Sequence, residues 1–332
     1  MSAVRSLVTP LRVASGGLAV FAVGFILIGL SGWGPPAGNE QAIGEVSRWC
    51  ERVNGGLLRE PINTLGNLGF VAVGILIFAT LARDIERGAI ASNRFIGHDP
   101  VALLYGAAAL FLGPGSMVMH GTHTRFGAWI DNLSMVAYIL IPWLFNLAAL
   151  GLWRDRTFFL TYATLLGLYG AGYWFLGPDL GIGLDLFGLS IALWIISEIL
   201  HRWWTPWLRA VSGLAGFAVA AIFGLGPTDL LAAPTKNWWV VLFWVPGMLA
   251  RQAPTGRRTY IPWFWLGVAS FLVAYSIWLT GTDTSTTCRP DSLLQAHAVW
   301  HLLTAIATYC FFRFLRTERS SVPAEPGVHQ AV

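Results

Sequence analysis

Residues 129–150 read WIDNLSMVAYILIPWLFNLAAL, and this stretch decides the fold. It runs for 22 residues with Asp131 as its only charge. About 20 such residues in a helix cross the hydrocarbon core of a bilayer. A helix satisfies its own backbone amides there, whereas an open sheet would leave edge groups unpaired in hydrocarbon. Working outward, comparable apolar runs occur at about 11–31, 63–82, 101–120, 157–176, 183–200, 207–226, 238–251, 261–280 and 294–315. The 238–251 run is short and holds Pro246 and Gly247, which suggests a kinked or re-entrant segment. The chain of 332 residues is 55% hydrophobic and only 11% charged, against roughly a quarter charged in soluble domains. Its 17 tryptophans cluster at run ends (Trp129, Trp153, Trp203, Trp207, Trp238), where amphipathic rings settle between headgroups and acyl chains. The fold expected is an all-α, polytopic transmembrane bundle.

The loops set its orientation. Arginines crowd alternate connections: Arg5 and Arg12; Arg83, Arg87 and Arg94; Arg154 and Arg156; Arg202 and Arg209; Arg251, Arg257 and Arg258; Arg313, Arg316 and Arg319. By the positive-inside rule these face the cytoplasm, with ten spans and both termini on that side. The 11–31 run has a basic flank like a signal peptide, but is long and lacks a clean cleavage site, so it reads as a retained helix. Residues 32–62 form a non-cytoplasmic loop, 63–316 the main transmembrane domain and 317–332 a disordered cytoplasmic tail. Lys236 is the only lysine, a bias associated with GC-rich bacterial genomes, so a bacterial inner membrane is the expected setting. The net charge of +4 does not point to nucleic acid.

Polar groups inside apolar runs are costly and mark function by default. Ser116 and His120 are four apart at the end of the 101–120 run, so they share a helix face; Asp131 opens the next run. His297 and His301, also four apart, open the last. All five lie at one membrane depth on the non-cytoplasmic side. Three imidazoles with one open position form a catalytic zinc set, with carboxylate and serine left for the water or for support. Taken singly, each has a plainer reading. A His-x3-His pair can serve interhelical hydrogen bonding, Ser116 can pack, and Asp131 can sit on a helix dipole. His123 is near His120 but outside this pattern. His98 and His201 read as solvated loop residues on the cytoplasmic side and Glu198 as interfacial; Asp179 and Asp185 flank a run and can cap it.

Ser-x3-His, an aspartate eleven residues after that histidine, and a distant His-x3-His together resemble the alkaline ceramidases. These belong to a superfamily with the adiponectin and progestin receptors. Trp33-Gly34-Pro35, Trp49-Cys50-Glu51, and Glu60 with Asn63-Thr64 and Asn67 resemble the ceramidase amino-terminal signature, which the receptors lack. The resemblance implies a seven-helix core, here with about three extra spans, one of them 1–31. It implies zinc on His120, His297 and His301, with Asp131 and Ser116 holding and polarising the water. It implies calcium on Trp49, Glu51, Asn54 and Glu60, although Arg48 stands where an acidic ligand is expected, the asparagine is shifted by one and the loop is shorter. The activity implied is hydrolysis of the N-acyl bond of ceramide or a similar lipid amide. The alternative is a receptor-like zinc protein with a structural metal or weak hydrolysis.

Three cysteines remain. Cys50 and Cys288 fall in non-cytoplasmic loops, where disulfides persist, and a bridge between them would pin the 32–62 loop over the helix of His297 and His301. Two free thiols are the other reading. Cys310 lies deep in the last run and reads as a small buried apolar residue.

Overall fold

A computed structural model describes residues 9–89 and 93–320. Apart from one two-residue strand pair and an isolated bridge, its regular structure is helical. Helix α1 (Thr9–Ser31) precedes a loop to residue 60. α2 (Pro61–Gly66) and α3 (Leu68–Glu86) form one rod interrupted at Asn67, followed by α4 (Pro100–Thr122), α5 (Arg125–Gly151), α6 (Asp155–Leu176) and α7 (Leu186–Trp203). Short helices α8 (Pro206–Val211), α9 (Leu214–Ile222) and α10 (Pro227–Ala232) come next. A 3-10 segment (Trp238–Trp244) runs into α11 (Val245–Leu249), and α12 (Trp263–Leu279) and α13 (Ala296–Leu315) complete the bundle. Six units are long and apolar enough to cross a membrane: α1, the α2–α3 rod, α4, α5, α7 and α13. The chain is an integral membrane protein.

All ten expected spans fall on helical segments, but not on ten equal helices. The 207–226 run is broken into α8 and α9 at Ser212 and Gly213, and 238–251 is a 3-10 turn joined to α11. These two pieces pack so closely that a Cβ on Gly247 would collide with the Arg209 carbonyl oxygen. Without α1 and this broken pair, seven long units remain among the described residues: the α2–α3 rod, α4, α5, α6, α7, α12 and α13.

α13 runs along α12 and against the α2–α3 rod; α4 lies between that rod and α5, and α5 packs on α6 and α7. The core between them is apolar, with Ile77, Leu81, Tyr105, Leu140, Leu144 and Phe312 fully enclosed. α1 lies outside and is mostly exposed along its length.

Two expectations at the arginine-rich end are corrected. His201 is not solvated, and Glu198 beside it is likewise enclosed by protein; they are 5% and 3% exposed on the last turns of α7. The Glu198 carboxylate accepts from the buried Arg258 guanidinium (2.7 Å), the Asn146 amide (2.9 Å) and the Tyr260 hydroxyl (2.6 Å). Arg258 also reaches Glu318 (2.6 Å) and the Asn146 carbonyl oxygen (2.7 Å). Such charges are stable inside only when paired, and the partners of Arg258 come from α5, α7 and the segment after α13. Residues 317–320 of the expected disordered tail are ordered. Thr317 bonds Thr259, and β2 (Arg319–Ser320) pairs antiparallel with β1 (Gly256–Arg257). The remainder of that tail, 321–332, and Arg5 of the orientation argument lie outside the described residues. Asp185 does cap α7, accepting from the Gly188 amide at 3.0 Å, whereas Asp179 bonds the Gly181 amide within the preceding loop.

Candidate metal centre

The site forms where the end of α4 meets the start of α13. His120 sits in the last turn of α4; His297 and His301 occupy successive turns of α13. The helices approach because small residues line their contacts. A Cβ on Gly66 of α2 would lie 2.9 Å from the Ala298 Cα of α13. A Cβ on Gly115 of α4 would lie 2.6 Å from the Ser134 Oγ of α5, which places Ser116 beside Asp131. Small residues at such crossings permit close backbone packing in membranes.

The three imidazoles converge. His120 Nε2 lies 3.1 Å from His297 Nε2 and 3.3 Å from His301 Nε2, and all three rings are buried. Their ligand atoms fall within 4.8 Å of one another, the only such group of three or more metal-ligating side chains among the described residues. The Trp49 indole packs on two of them, with centroids 4.8 Å from His120 and 5.0 Å from His297. Asp131 is half-buried near His120 and Ser116. Ser116 Oγ is buried without a well-formed hydrogen bond. A cavity of about 550 Å³ adjoins the site, with Asp131, Trp49, Met119, Met135, Tyr173 and Trp174 in its wall.

Glu60 is the residue whose place the sequence did not reveal. It is fully buried, and its two oxygens lie 2.5 Å from His120 Nδ1 and 2.9 Å from His123 Nε2. The amide of Asn63 adds a third bond at 3.0 Å. Burial opposes ionisation of this carboxyl, but its interactions with His120 and His123 prevail and hold its pKa below the ordinary range. An Nδ1–H bound to a carboxylate fixes the tautomer that leaves Nε2 free to ligate. His123 is not one of the three converging imidazoles. It is the left-handed residue (φ 49°) after α4, a place usually taken by glycine or asparagine.

Backbone bonding explains why the 32–60 loop lies here. The last carbonyls of α4 lack helical partners. Those of His120 and Gly121 accept from the Glu60 and Arg59 amides at 2.9 and 3.0 Å, and the His123 carbonyl accepts from Ala37 at 2.9 Å. The Trp33 indole donates to the Leu57 carbonyl (2.8 Å), docking Trp33-Gly34-Pro35 on the same segment. Glu51 closes the start of α2, its carboxylate accepting from the Ile62 and Asn63 amides at 2.7 and 2.8 Å. Pro61, at the first helical position, has no amide to satisfy. Burial raises the Glu51 pKa, and the two backbone bonds act against it.

Of the four residues expected to hold calcium, each carboxylate oxygen of Glu51 and Glu60 is already bonded to protein. Asn54 is exposed and its amide donates to the Arg52 carbonyl. Arg48 pairs with Glu40 at 2.6 Å and lies over the Trp49 ring. Cys50 and Cys288 are joined in a disulfide, with Cα atoms 5.5 Å apart, and Cys310 is free and buried. Beside the bridge, Arg52 pairs with Asp291 (2.7 Å) and its amide donates to the Pro290 carbonyl (3.0 Å).

A bundle of apolar helices with a buried three-imidazole cluster at one end defines a polytopic membrane protein with a centre able to hold a metal ion. The family model for Ceramidase matches residues 46–326, so the chain belongs to the ceramidase family, hydrolases acting on the amide bond of ceramide. The match includes every residue of the cluster and omits α1. Comparison with curated proteins gives no match.

Proposed function

We propose that the chain is an intramembrane zinc amidase that cleaves the N-acyl bond of ceramide or a similar lipid amide. The carrying observation is the convergence of three Nε2 atoms in a buried space. A single cation placed between the three rings could accept a lone pair from each of them. Zinc–nitrogen bonds of about 2.0–2.1 Å in tetrahedral geometry place ligand nitrogens roughly 3.3–3.4 Å apart. The two separations from His120 Nε2, 3.1 and 3.3 Å, are close to that spacing, and the three ligand atoms lie within 4.8 Å of one another.

Zinc held by His120, His297 and His301 would supply a water of lowered pKa and a polarised carbonyl. The chain's own residues account for the rest. Asp131 takes the proton of the attacking water and delivers it to the departing amine nitrogen as the C–N bond breaks. Ser116 Oγ, without another well-formed bond, is available to donate to the developing oxyanion. Glu60 keeps the His120 ring oriented, and Trp49 covers His120 and His297 against bulk water. The adjoining cavity, apolar at Met119, Met135 and Trp174, holds the lipid with its amide near Asp131. We favour structural roles for Glu51 and Glu60, because a calcium ion would have to share oxygens already bonded to protein. The arginine excess at the far end and the disulfide at this one favour a non-cytoplasmic active site.

Metal analysis of purified protein, paired with fatty-acid release from ceramide, tests the reading. About one zinc per chain is expected, with zinc and activity both lost in His297→Ala and His301→Ala. Asp131→Asn should keep zinc and lose turnover by roughly 10²–10⁴-fold. Full turnover in metal-free protein overturns the zinc assignment, and wild-type turnover of Asp131→Asn overturns the proton transfer.

A further inference from the structure

A second cavity, of about 270 Å³, opens between α3 and α13 at the end of the bundle opposite the histidines. Arg83, Asp84 and Arg87 with Thr80 form one wall; Tyr309, Arg313 and Arg316 form the other. Four guanidiniums thus face one carboxylate. That carboxylate is committed: Asp84 accepts both nitrogens of Arg316 at 2.7 and 2.8 Å, and the Gly97 amide at 3.0 Å. Arg316 also donates to the Phe95 carbonyl at 2.6 Å. Arg313 lies over the Trp263 ring at 4.3 Å. Among the described residues, Arg83, Arg87 and Arg313 form no ion pair with a carboxylate within 4.0 Å. Three uncompensated cations around one small cavity repel unless an anion screens them.

Depth and shape indicate which anion. Both walls are the last turns of apolar spans, Pro61–Glu86 and Ala296–Leu315, so the cavity lies at headgroup level. Below it, helical spacing continues each wall into exposed apolar residues: Leu76 leads to Thr80 and Arg83 on α3, and Leu302 and Ile306 lead to Tyr309 and Arg313 on α13. Arginine forks match phosphate oxygens two at a time, and basic pockets between transmembrane helices recognise anionic headgroups. Arginines that only set orientation need neither a shared cavity nor exposed apolar residues leading from it. We propose that this cavity binds the phosphate of an anionic phospholipid headgroup, with the acyl chains lying along the α3–α13 groove.

The test uses the full chain in nanodiscs of mixed phosphatidylcholine and phosphatidylglycerol, followed by native mass spectrometry of the lipids retained. Wild type should retain phosphatidylglycerol over phosphatidylcholine. The triple variant Arg83→Gln/Arg87→Gln/Arg313→Gln should retain at least roughly tenfold less, since it removes three of the four guanidiniums that line the cavity. A control of equal charge at the same end, Arg154→Gln/Arg156→Gln/Arg251→Gln, should behave as wild type. Melting and zinc content identify a misfolded triple variant, in which case Arg313→Gln alone carries the comparison. Equal retention of the two lipids, or equal loss in the control, overturns the proposal. Millimolar inorganic phosphate that stabilises lipid-free protein as strongly as phosphatidylglycerol does would assign the cavity to a free anion and overturn the lipid.

Discussion

Glu60 joins two histidines that are three residues apart, and the sequence around it gives no sign of this. Its oxygens hold His120 Nδ1 and His123 Nε2, so Glu60→Gln should loosen the His120 ring and weaken zinc binding roughly 10–100-fold, read by competition with a chelator. His123→Ala should have a smaller effect, because Glu60 keeps its bond to His120. Asp291 offers a pH-dependent test. Hydrogen bonding from Arg52 lowers its pKa in the folded protein. The pair therefore favours folding above the ordinary aspartate range near pH 4, and that contribution is lost as pH falls below it. The difference in melting temperature between wild type and Asp291→Asn should accordingly be present at neutral pH and vanish in acid.

At the scale of elements, the metal centre depends on how closely the α2–α3 rod approaches α13. Gly66→Val would drive a side chain into the Ala298 backbone and move His297 and His301 away from His120. Overpacking of this kind costs about 1–3 kcal/mol, and zinc content should fall with it. Gly17→Val on α1, where nothing lies within 4 Å, should change neither melting nor zinc. The loops above the site form a second element-scale unit, joined by the Cys50–Cys288 bridge. Reduction, or Cys288→Ser, should let Trp49 lift from the histidines and speed zinc loss to a chelator. An unchanged release rate would show that the α4 carbonyl contacts alone hold the loop.

For the molecule as a whole, the far end is fastened by the Glu198–Arg258–Glu318 network. It ties α5, α7, the loop before α12 and the segment after α13. Arg258→Met would leave two carboxylates without their cation, and removing one partner of a buried pair costs about 3–5 kcal/mol. Thermal melting in detergent should show this loss, and Arg258→Met/Glu198→Gln should recover part of it. Zinc content of the surviving folded fraction should be unchanged, since the network lies at the end opposite the histidines.

Local pattern made much of this protein legible. Long apolar runs can satisfy their backbones in hydrocarbon only as helices, so the all-α bundle followed from composition and run length. Helical spacing put His297 and His301 on one face, and loop charge placed Ser116, His120 and Asp131 at the same end. The same topology brought Cys50 within reach of Cys288. Other features rest on contacts between segments far apart in the chain. The break at Ser212–Gly213 depends on packing against 238–249, not on the apolar run in which it occurs. Glu198 and His201 looked peripheral because helix ends usually are, yet Arg258 and Glu318 from distant loops enclose them. Glu60 could be recognised as a residue worth attention, but its partner could not, because a buried carboxylate takes whichever donor the tertiary structure presents. Sequence by itself determined the helices and the depth of the polar groups, since both are set by local pattern and water exclusion. Tertiary structure alone decided the pairing of those groups, because hydrogen bonds and charges act over a few ångströms that only packing can bring about.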